Sequence, residues 1–167
     1  MGNESYSSQV DGLIAWYGVY DLLTNDAQMR RLHPGYTGDS SPIPTMLGQW
    51  TEEKAREASP ISYITPEYPP TLLQHGKKDQ QVPYLQTQEL YEKICQVCGP
   101  ERAILEYFPE AGHGDAQIKA DANLLRCLQF LDGIYYPDRP CPYPRKALPE
   151  LRFMESTCRK IDPYEPV

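Results

Sequence analysis

An aspartate and a histidine lie in two polar loops, each shortly after an apolar run. Asp79 stands in "HGKKDQQVP", four residues beyond the run "TLLQH", and His113 stands in "PEAGHG", five residues beyond "AILEYF". One helix and one strand account for the 34 positions that separate them, so the two loops are expected side by side at the carboxyl edge of a parallel sheet. A carboxylate there can bind one imidazole nitrogen and leave the other free as a general base.

The remaining histidines and one further aspartate have simpler interpretations. His75 ends the run "TLLQH" and is interpreted as a structural residue that shapes the following turn, and His33 as a loop residue. A metal site built from all three histidines requires a spatial convergence that the sequence does not indicate, so we predict no metal and no cofactor. Asp115 is predicted to cap the final helix.

Serines and cysteines give no second candidate site. The serines that precede the second strand are predicted to be caps and turn residues rather than nucleophiles, and they are Ser5, Ser7, Ser8, Ser40, Ser41, Ser59 and Ser62. The five cysteines form no dense disulfide pattern. The pair Cys95 and Cys98 lies near the C-terminal end of a predicted helix, where the helix dipole does not lower a thiol pKa. We interpret the pair as ordinary packing residues in a reduced, cytoplasmic protein.

Hydrophobic patterning predicts the elements that hold these loops. Short apolar runs predict three strands, over residues 10–17, 71–75 and 103–108. Helices are predicted over residues 83–97 and 116–134, together with a short one in "TEEKAREAS" that Thr51 caps, whereas "SSPIPTMLGQW" is predicted as loop. Alternating strands and helices of this length indicate an α/β fold with about three parallel strands and flanking helices.

Composition excludes several classes of function. The net charge is −7 and the pI is about 5.0, which disfavours nucleic-acid binding because phosphates are recognised by clustered Lys and Arg. No apolar run approaches the roughly 20 residues of a membrane-spanning helix. The N-terminal sequence "MGNESYSSQVDG" lacks the basic and apolar regions of a secretory signal.

The two loops and their flanking segments resemble a known family. "SPISYITPEYPPTLLQHGKKDQQVPYLQTQELYEKI" followed by "AILEYFPEAGHGD" resembles the C-terminal part of α/β-hydrolase esterases and lipases, in particular a carbohydrate-esterase-like group related to prolyl oligopeptidase. "VDGLIAWYGVYDL" resembles the family's strand just after the nucleophile helix. The resemblance covers roughly residues 10–134, and it implies that Asp79 is the catalytic acid and His113 the base. It also implies that Val82 begins the segment leading into the next helix.

One departure from the family is large. The family's nucleophile lies in G-x-S-x-G upstream of the strand that "VDGLIAWYG" resembles. No two glycines in the chain are four positions apart, so this motif is absent. The expected fold is therefore an incomplete α/β-hydrolase, in which the acid and the base are present and the nucleophile is not.

The remaining segments are assigned by composition and by the resemblance. Residues 1–134 are predicted to form a partial hydrolase domain with a cap-like excursion over about 21–64, and 135–167 a Pro- and Tyr-rich extension. Trp50 either lines a substrate pocket in the excursion or packs the excursion on the sheet. Tyr20 and Val82 are further candidates for pocket residues.

Two functions remain open from the sequence. The first is the C-terminal half of a serine ester hydrolase that acts on a small ester, is inactive alone and requires a separate N-terminal half. The second is a truncated, non-catalytic relic or ligand-binding module that forms a homodimer through the sheet edge exposed at the first strand.

Overall fold

A three-stranded parallel sheet forms the centre of the protein. The computed structural model describes residues 5–39, 41 and 43–138. Its strands are β1 (Leu13–Trp16), β2 (Thr71–Gly76) and β3 (Ala103–Phe108), in the order β1-β2-β3. Every residue of β2 is buried, whereas all four residues of β1 are only half-buried. The predicted parallel α/β arrangement is confirmed, and β1 forms one edge of the described sheet.

Helices occupy the connections between the strands in the described residues. The α-helices are α1 (Asn25–Leu32), α2 (Ile43–Leu47), α3 (Glu52–Ala58), α4 (Leu85–Cys98), α5 (Ala116–Lys119) and α6 (Asp121–Tyr135), and short 3-10 helices span Pro60–Tyr63 and Pro100–Arg102. Thr51 caps α3 as predicted, because its side chain accepts a hydrogen bond from the Lys54 N–H. Gly99, at a φ of 96°, ends α4 in a conformation that suits glycine.

Helix α4 covers one face of the sheet with apolar side chains. Leu90 and Ile94 of α4 pack against Leu73 of β2 and Leu105 of β3, and all four are almost completely buried. This contact is the main hydrophobic core, and β2, which takes part in it, leads directly into the loop that carries Asp79. The position of α4 therefore bears on the geometry of that loop.

Helix α6 is held on the opposite face by polar contacts. The Gln74 carboxamide, which is fully buried, donates to Glu106 Oε2 at 2.8 Å and to Asn123 Oδ1 at 2.7 Å. Arg126 Nε donates to the other oxygen of Glu106 at 2.7 Å. Leu124 and Leu128 remain 43% and 44% exposed, so α6 presents apolar side chains to solvent as well as to the sheet.

The excursion between β1 and β2 has its own small core and is fixed to α4. Leu22, Ile43 and Ala55 form that core. The fully buried Gln86 side chain accepts from the N–H groups of Tyr20 and Asp21, both at 2.8 Å. One glutamine on α4 thus fixes the path of the chain as it leaves β1.

Three predicted secondary-structure assignments are wrong. The first strand begins at Leu13 rather than Val10, because its partner β2 begins at Thr71 after two prolines and the Leu13 N–H bonds to the Pro70 carbonyl. Residues 43–47 form α2 instead of a loop, since a proline in a first helical turn removes no helical hydrogen bond. The final helix is interrupted at Ala120, whose extended backbone lets the Asn123 side chain bond the Ile118 carbonyl.

The predicted C-terminal extension lies largely outside the described part of the chain. Helix α6 ends at Tyr135, next to the predicted boundary, and residues 139–167 are not described. The division into a hydrolase domain and an extension therefore stays a prediction. Within the described residues, no helix has the length and apolarity needed to cross a membrane.

Candidate active site

The loops that carry Asp79 and His113 are joined by backbone contacts at the carboxyl ends of β2 and β3. The Lys77 N–H bonds to the Phe108 carbonyl at 2.9 Å, and the Lys78 N–H bonds to the Ala111 carbonyl at 3.0 Å. At Gly76 the chains approach so closely that a Cβ would lie 2.2 Å from the Ala111 carbonyl oxygen. The glycine of the His-Gly pair is therefore required by close packing of the two loops.

Asp79 is a buried carboxylate within a tight turn. Its side chain is fully buried, and Oδ1 accepts from the N–H groups of Gln81 and Val82 at 2.8 and 2.9 Å. Such a turn is typical of aspartate, whose short side chain can reach the backbone two and three residues ahead. These bonds leave Oδ2 directed toward side chains from other elements.

His113 is placed so that one ring nitrogen faces Asp79. Its Nδ1 lies 2.8 Å from Asp79 Oδ2. Because a carboxylate oxygen only accepts, Nδ1 carries the hydrogen, and in the neutral ring Nε2 holds the lone pair. No residue in the described part of the chain forms a hydrogen bond with that Nε2, and the side chain is 28% exposed. The ring thus offers an oriented and accessible base.

Tyr17 packs against the His113 ring in an edge-to-face contact. Their ring centroids are 4.6 Å apart with an interplanar angle of 62°. Tyr17 has a φ of 41°, and it is the only non-glycine residue with a positive φ in the described chain. A bulky residue in this region is strained, and such strain is common beside functional sites. No pattern in the sequence indicates this contact.

His75 is the second imidazole at Asp79. It is fully buried, and its Nε2 lies 3.2 Å from Asp79 Oδ2 and 3.1 Å from the Val82 carbonyl oxygen. Its Nδ1 faces the Thr87 hydroxyl on α4. A ring with no exposed surface does not contact a substrate, which agrees with a structural role for His75. Its role, however, extends beyond the turn to a direct contact with the carboxylate.

The third histidine also contacts the Asp79 loop. His33, at the C-terminal end of α1, places Nε2 3.1 Å from the backbone carbonyl oxygen of Asp79. The spatial convergence that the sequence did not indicate therefore exists, but it is centred on Asp79. In the described residues, no group of three or more His, Cys, Asp or Glu side chains has a geometry that would hold a metal ion.

Hydrogen bonding keeps Asp79 ionised despite its burial. Burial alone would raise the pKa of this carboxyl, and it is the largest influence. Hydrogen bonds from His75, from the Val82 and Gln81 N–H groups and from His113 together outweigh burial and lower the pKa to about 2. Asp79 is therefore negatively charged at neutral pH and can stabilise a positive charge on His113.

The three candidate pocket residues lie in different environments. Tyr20 lies in the main core, 7% exposed, rather than on a surface that a substrate would contact, and burial raises its pKa to about 12. Trp50 is 49% exposed, in the segment between α2 and α3. Val82 belongs to the Asp79 turn through its backbone N–H and carbonyl.

The described serines have structural contacts or lie exposed. The Ser59 hydroxyl is buried and bonds the Ala55 carbonyl and the Leu22 N–H, and the Ser62 hydroxyl donates to the Arg56 carbonyl. No hydrogen bond joins a serine to His113 within the described residues. Ser40 lies outside them.

The predicted cap and the thiols are placed as follows. Asp115 caps α5, because its side chain accepts from the Gln117 N–H at 2.9 Å. Cys95 and Cys98 lie on α4, and Cys127 lies on α6. Cys141 and Cys158 lie outside the described residues.

Comparison with protein families and curated relatives points to esterases. The BD-FAE family model matches residues 1–94. Among curated relatives, Esterase LipQ of Mycobacterium tuberculosis is 34% identical over 88 residues, and Esterase LipC of the same organism is 30% identical over 115 residues. These matches cover 52% and 66% of this chain, but only 20% and 27% of the two esterases. The chain thus spans about a quarter or less of the curated relatives that it matches.

Solved structures give the same class of fold. A bifunctional GH43-CE protein of Bacteroides eggerthii matches with a TM-score of 0.59 and 25% identity, over 76% of this chain and 16% of that protein. A truncated form of a carbohydrate esterase from gut microbiota matches at 0.57 and 25%, over 78% and 47%. Native esterase 2 of Thermogutta terrifontis, at 0.57 and 22% over 80% and 46%, supports the fold alone. The described sheet therefore corresponds to part of an α/β-hydrolase fold.

Proposed function

This chain belongs to the BD-FAE family, and from that premise we propose that Asp79 and His113 are the catalytic acid and base of a serine ester hydrolase. The homology to esterases supports the reaction class. The single observation that carries the assignment is the 2.8 Å contact between His113 Nδ1 and Asp79 Oδ2. That contact fixes the tautomer in which Nε2 accepts a proton.

The geometry supports a defined proton path. A serine hydroxyl beside His113 Nε2 would transfer its proton to that nitrogen as the oxygen attacks the ester carbonyl. Asp79, ionised and buried, would stabilise the resulting imidazolium. Nε2–H would then protonate the departing alkoxide, and an acyl-enzyme would remain. Water activated by the same nitrogen would release the acid and regenerate the serine.

The nucleophile in this proposal lies outside the 167 residues. They contain no G-x-S-x-G motif, and the described serines bond to other parts of the chain or lie exposed. A strand-to-helix elbow exposes the serine and supplies oxyanion donors, and no described serine occupies such an elbow. We therefore propose that an additional N-terminal hydrolase segment, on the same or a separate polypeptide, completes the site.

The edge of β1 is the proposed place of pairing. The N–H groups of Leu13 and Tyr17 bond to the Pro70 and Gln74 carbonyls, so those of Ile14 and Trp16 point away from β2. The half-burial of the whole strand supports an incomplete edge. A strand added there would extend the sheet next to Tyr17 and His113.

A non-catalytic function is the second candidate. The same open edge, together with the exposed Leu124 and Leu128 on α6, also supports association of two copies of this chain. In that case Asp79 and His113 would be a retained pair without chemistry, on a relic or a ligand-binding module. The two candidates differ in whether a serine is ever activated by His113.

Reaction with a fluorophosphonate probe separates the candidates. Intact mass would be measured for the wild-type chain, His113→Ala and the control Ser62→Ala, each alone and after co-expression with the G-x-S-x-G segment of a BD-FAE-family esterase. We expect no adduct on the chain alone, and an adduct on the added serine that requires His113. An adduct on the isolated wild-type chain would show that one of its own serines is the nucleophile. The proposal would be refuted if the co-purified complex with His113→Ala were labelled to the same extent as the complex with the wild-type chain.

A further inference from the structure

Thr87 lies at the far end of a hydrogen-bonded chain that leads to the candidate base. It is fully buried in the first turn of α4, twelve positions after His75. Its hydroxyl contacts His75 Nδ1, His75 Nε2 contacts Asp79 Oδ2, and the same oxygen contacts His113 Nδ1. Neither the strand pattern nor the helix pattern in the sequence indicates a role for this threonine.

The direction of each bond in this chain follows from its partners. His75 Nε2 faces two oxygens that only accept, the Asp79 carboxylate and the Val82 carbonyl. Nε2 must therefore carry the hydrogen. In the neutral ring Nδ1 is then the acceptor, and the Thr87 hydroxyl donates to it.

We propose that Thr87 is a positioning residue, which fixes the tautomer of His75 and through it the orientation of the Asp79 carboxylate toward His113. The catalytic role of these hydrogen bonds rests on the proposed function, whereas the hydrogen bonds themselves do not. Helix α4 thereby influences the loop that carries Asp79 through one hydroxyl group.

The alternative tautomer of His75 shows why the hydroxyl matters. With the hydrogen on Nδ1, the lone pair of Nε2 would face both Asp79 Oδ2 and the Val82 carbonyl oxygen. Lone pairs directed at each other in a buried site are costly, because no water relieves them. Asp79 would keep only its bonds from His113 and from the backbone N–H groups of Gln81 and Val82.

Other groups near this chain do not replace the Thr87 hydroxyl. The Tyr20 phenol interacts with Thr87 and accepts a hydrogen bond from the Gly18 N–H. His33 contacts the Asp79 backbone rather than the carboxylate. Removing the Thr87 hydroxyl should therefore change the tautomer of His75 and the titration of Asp79 specifically.

Two variants of Thr87 provide the test, with nuclear magnetic resonance as the readout. Thr87→Val removes the hydroxyl and keeps the shape, and Thr87→Ser keeps the hydroxyl as the matched control. Two-bond 1H–15N correlations report the His75 tautomer, and the 13C shift of the Asp79 carboxyl reports its titration midpoint. We expect Thr87→Val to deplete the Nε2–H form of His75 and to shift the Asp79 midpoint upward, with Thr87→Ser close to wild type.

Unchanged signals in Thr87→Val, or equal changes in Thr87→Ser, would overturn the proposal. If Thr87→Val does not fold, Thr87→Ala removes the same hydroxyl without a branched side chain and is read in the same way. The measurement needs no nucleophile. A failure here would therefore leave the hydrolase proposal standing, and a failed labelling experiment would leave this result intact.

Discussion

At the scale of single residues, Asp79 is a buried charge that depends on its hydrogen-bond donors. His75, His113 and the N–H groups of Gln81 and Val82 all donate to its two oxygens. A buried carboxylate without such donors would become protonated instead. The donors therefore stabilise the folded protein and also keep Asp79 in the ionised form that the proposed catalytic role of His113 requires.

Asp79→Asn should destabilise the protein in a pH-dependent way. The NH2 group of asparagine would face the N–H groups of the histidines, which places two donors against each other. We therefore expect a loss of about 2 kcal/mol in the free energy of unfolding at pH 7. The folded pKa of about 2 lies below the ordinary 3.8. The stabilisation by the carboxylate is thus fully present above about pH 4 and is lost as the pH falls through about 2. Urea unfolding of the wild type and Asp79→Asn at pH 7, 4 and 2.5 measures this difference in the free energy of unfolding.

The exposed Asp39 gives the control for this prediction. It lies in a surface turn, so Asp39→Asn should change stability by less than about 0.5 kcal/mol at any of these pH values. An Asp79→Asn loss that is equally large at pH 2.5 and pH 7 would contradict the ionised state of Asp79.

Tyr17 gives a second prediction at this scale. If its ring orients His113, Tyr17→Phe should leave the reaction of His113 with diethyl pyrocarbonate unchanged, because the edge-to-face contact is kept. Tyr17→Leu should accelerate that reaction, since it uncovers the imidazole. Peptide mass mapping measures the rate, with His33 as an internal reference. Equal rates in the two variants would exclude an influence of the ring.

At the scale of elements, the strand ends and their loops decide the geometry. Gly76 ends β2 against the backbone of the loop that holds His113. Gly76→Ala should force the two loops apart and cost about 1 to 3 kcal/mol, as overpacking does. Gly112→Ala is the matched control, because the nearest atom to its added Cβ is at an ordinary 3.8 Å. Thermal unfolding of both variants measures the difference, and equal stability would contradict the close approach.

Much of the arrangement of strands, helices and loops could be predicted from the sequence, because it depends on local patterns of residues. Continuous apolar runs placed β2 and β3 within a residue, and Gly99 placed the end of α4. The same strands and connection lengths predicted that the loops of Asp79 and His113 are neighbours. Helix α2 was missed because Pro42 and Pro44 favoured a loop, although Pro44 fits the first turn of a helix.

The contacts between distant elements could not be predicted. The Thr87–His75 pair joins a helix to a strand end, and the Tyr17–His113 pair joins the ends of β1 and β3. Side chains of ordinary type meet there without a repeating spacing. Their contacts follow from the register of the strands and the position of α4, and neither is encoded in a local pattern.

At the scale of the whole molecule, β1 is an edge strand of the sheet that the described residues form. In the absence of a pairing segment, we expect copies of the chain to associate along this edge, so the mass in sedimentation velocity should rise with concentration. Ile14→Pro should suppress association, because it removes an N–H that points away from β2. Ala15→Pro, which removes an N–H on the β2 side, should instead destabilise the fold. A chain that stays monomeric at every concentration would contradict an adhesive edge.

The most direct test of the account is ester hydrolysis by a completed site. The chain would be co-expressed with the part of a BD-FAE-family esterase that carries G-x-S-x-G, and the purified complex assayed with p-nitrophenyl acetate. The account predicts hydrolysis that is abolished by removal of the motif serine and lowered at least 100-fold by His113→Ala, as loss of a general base does. Hydrolysis by the complex that persists undiminished in His113→Ala would contradict the assignment of Asp79 and His113 as acid and base.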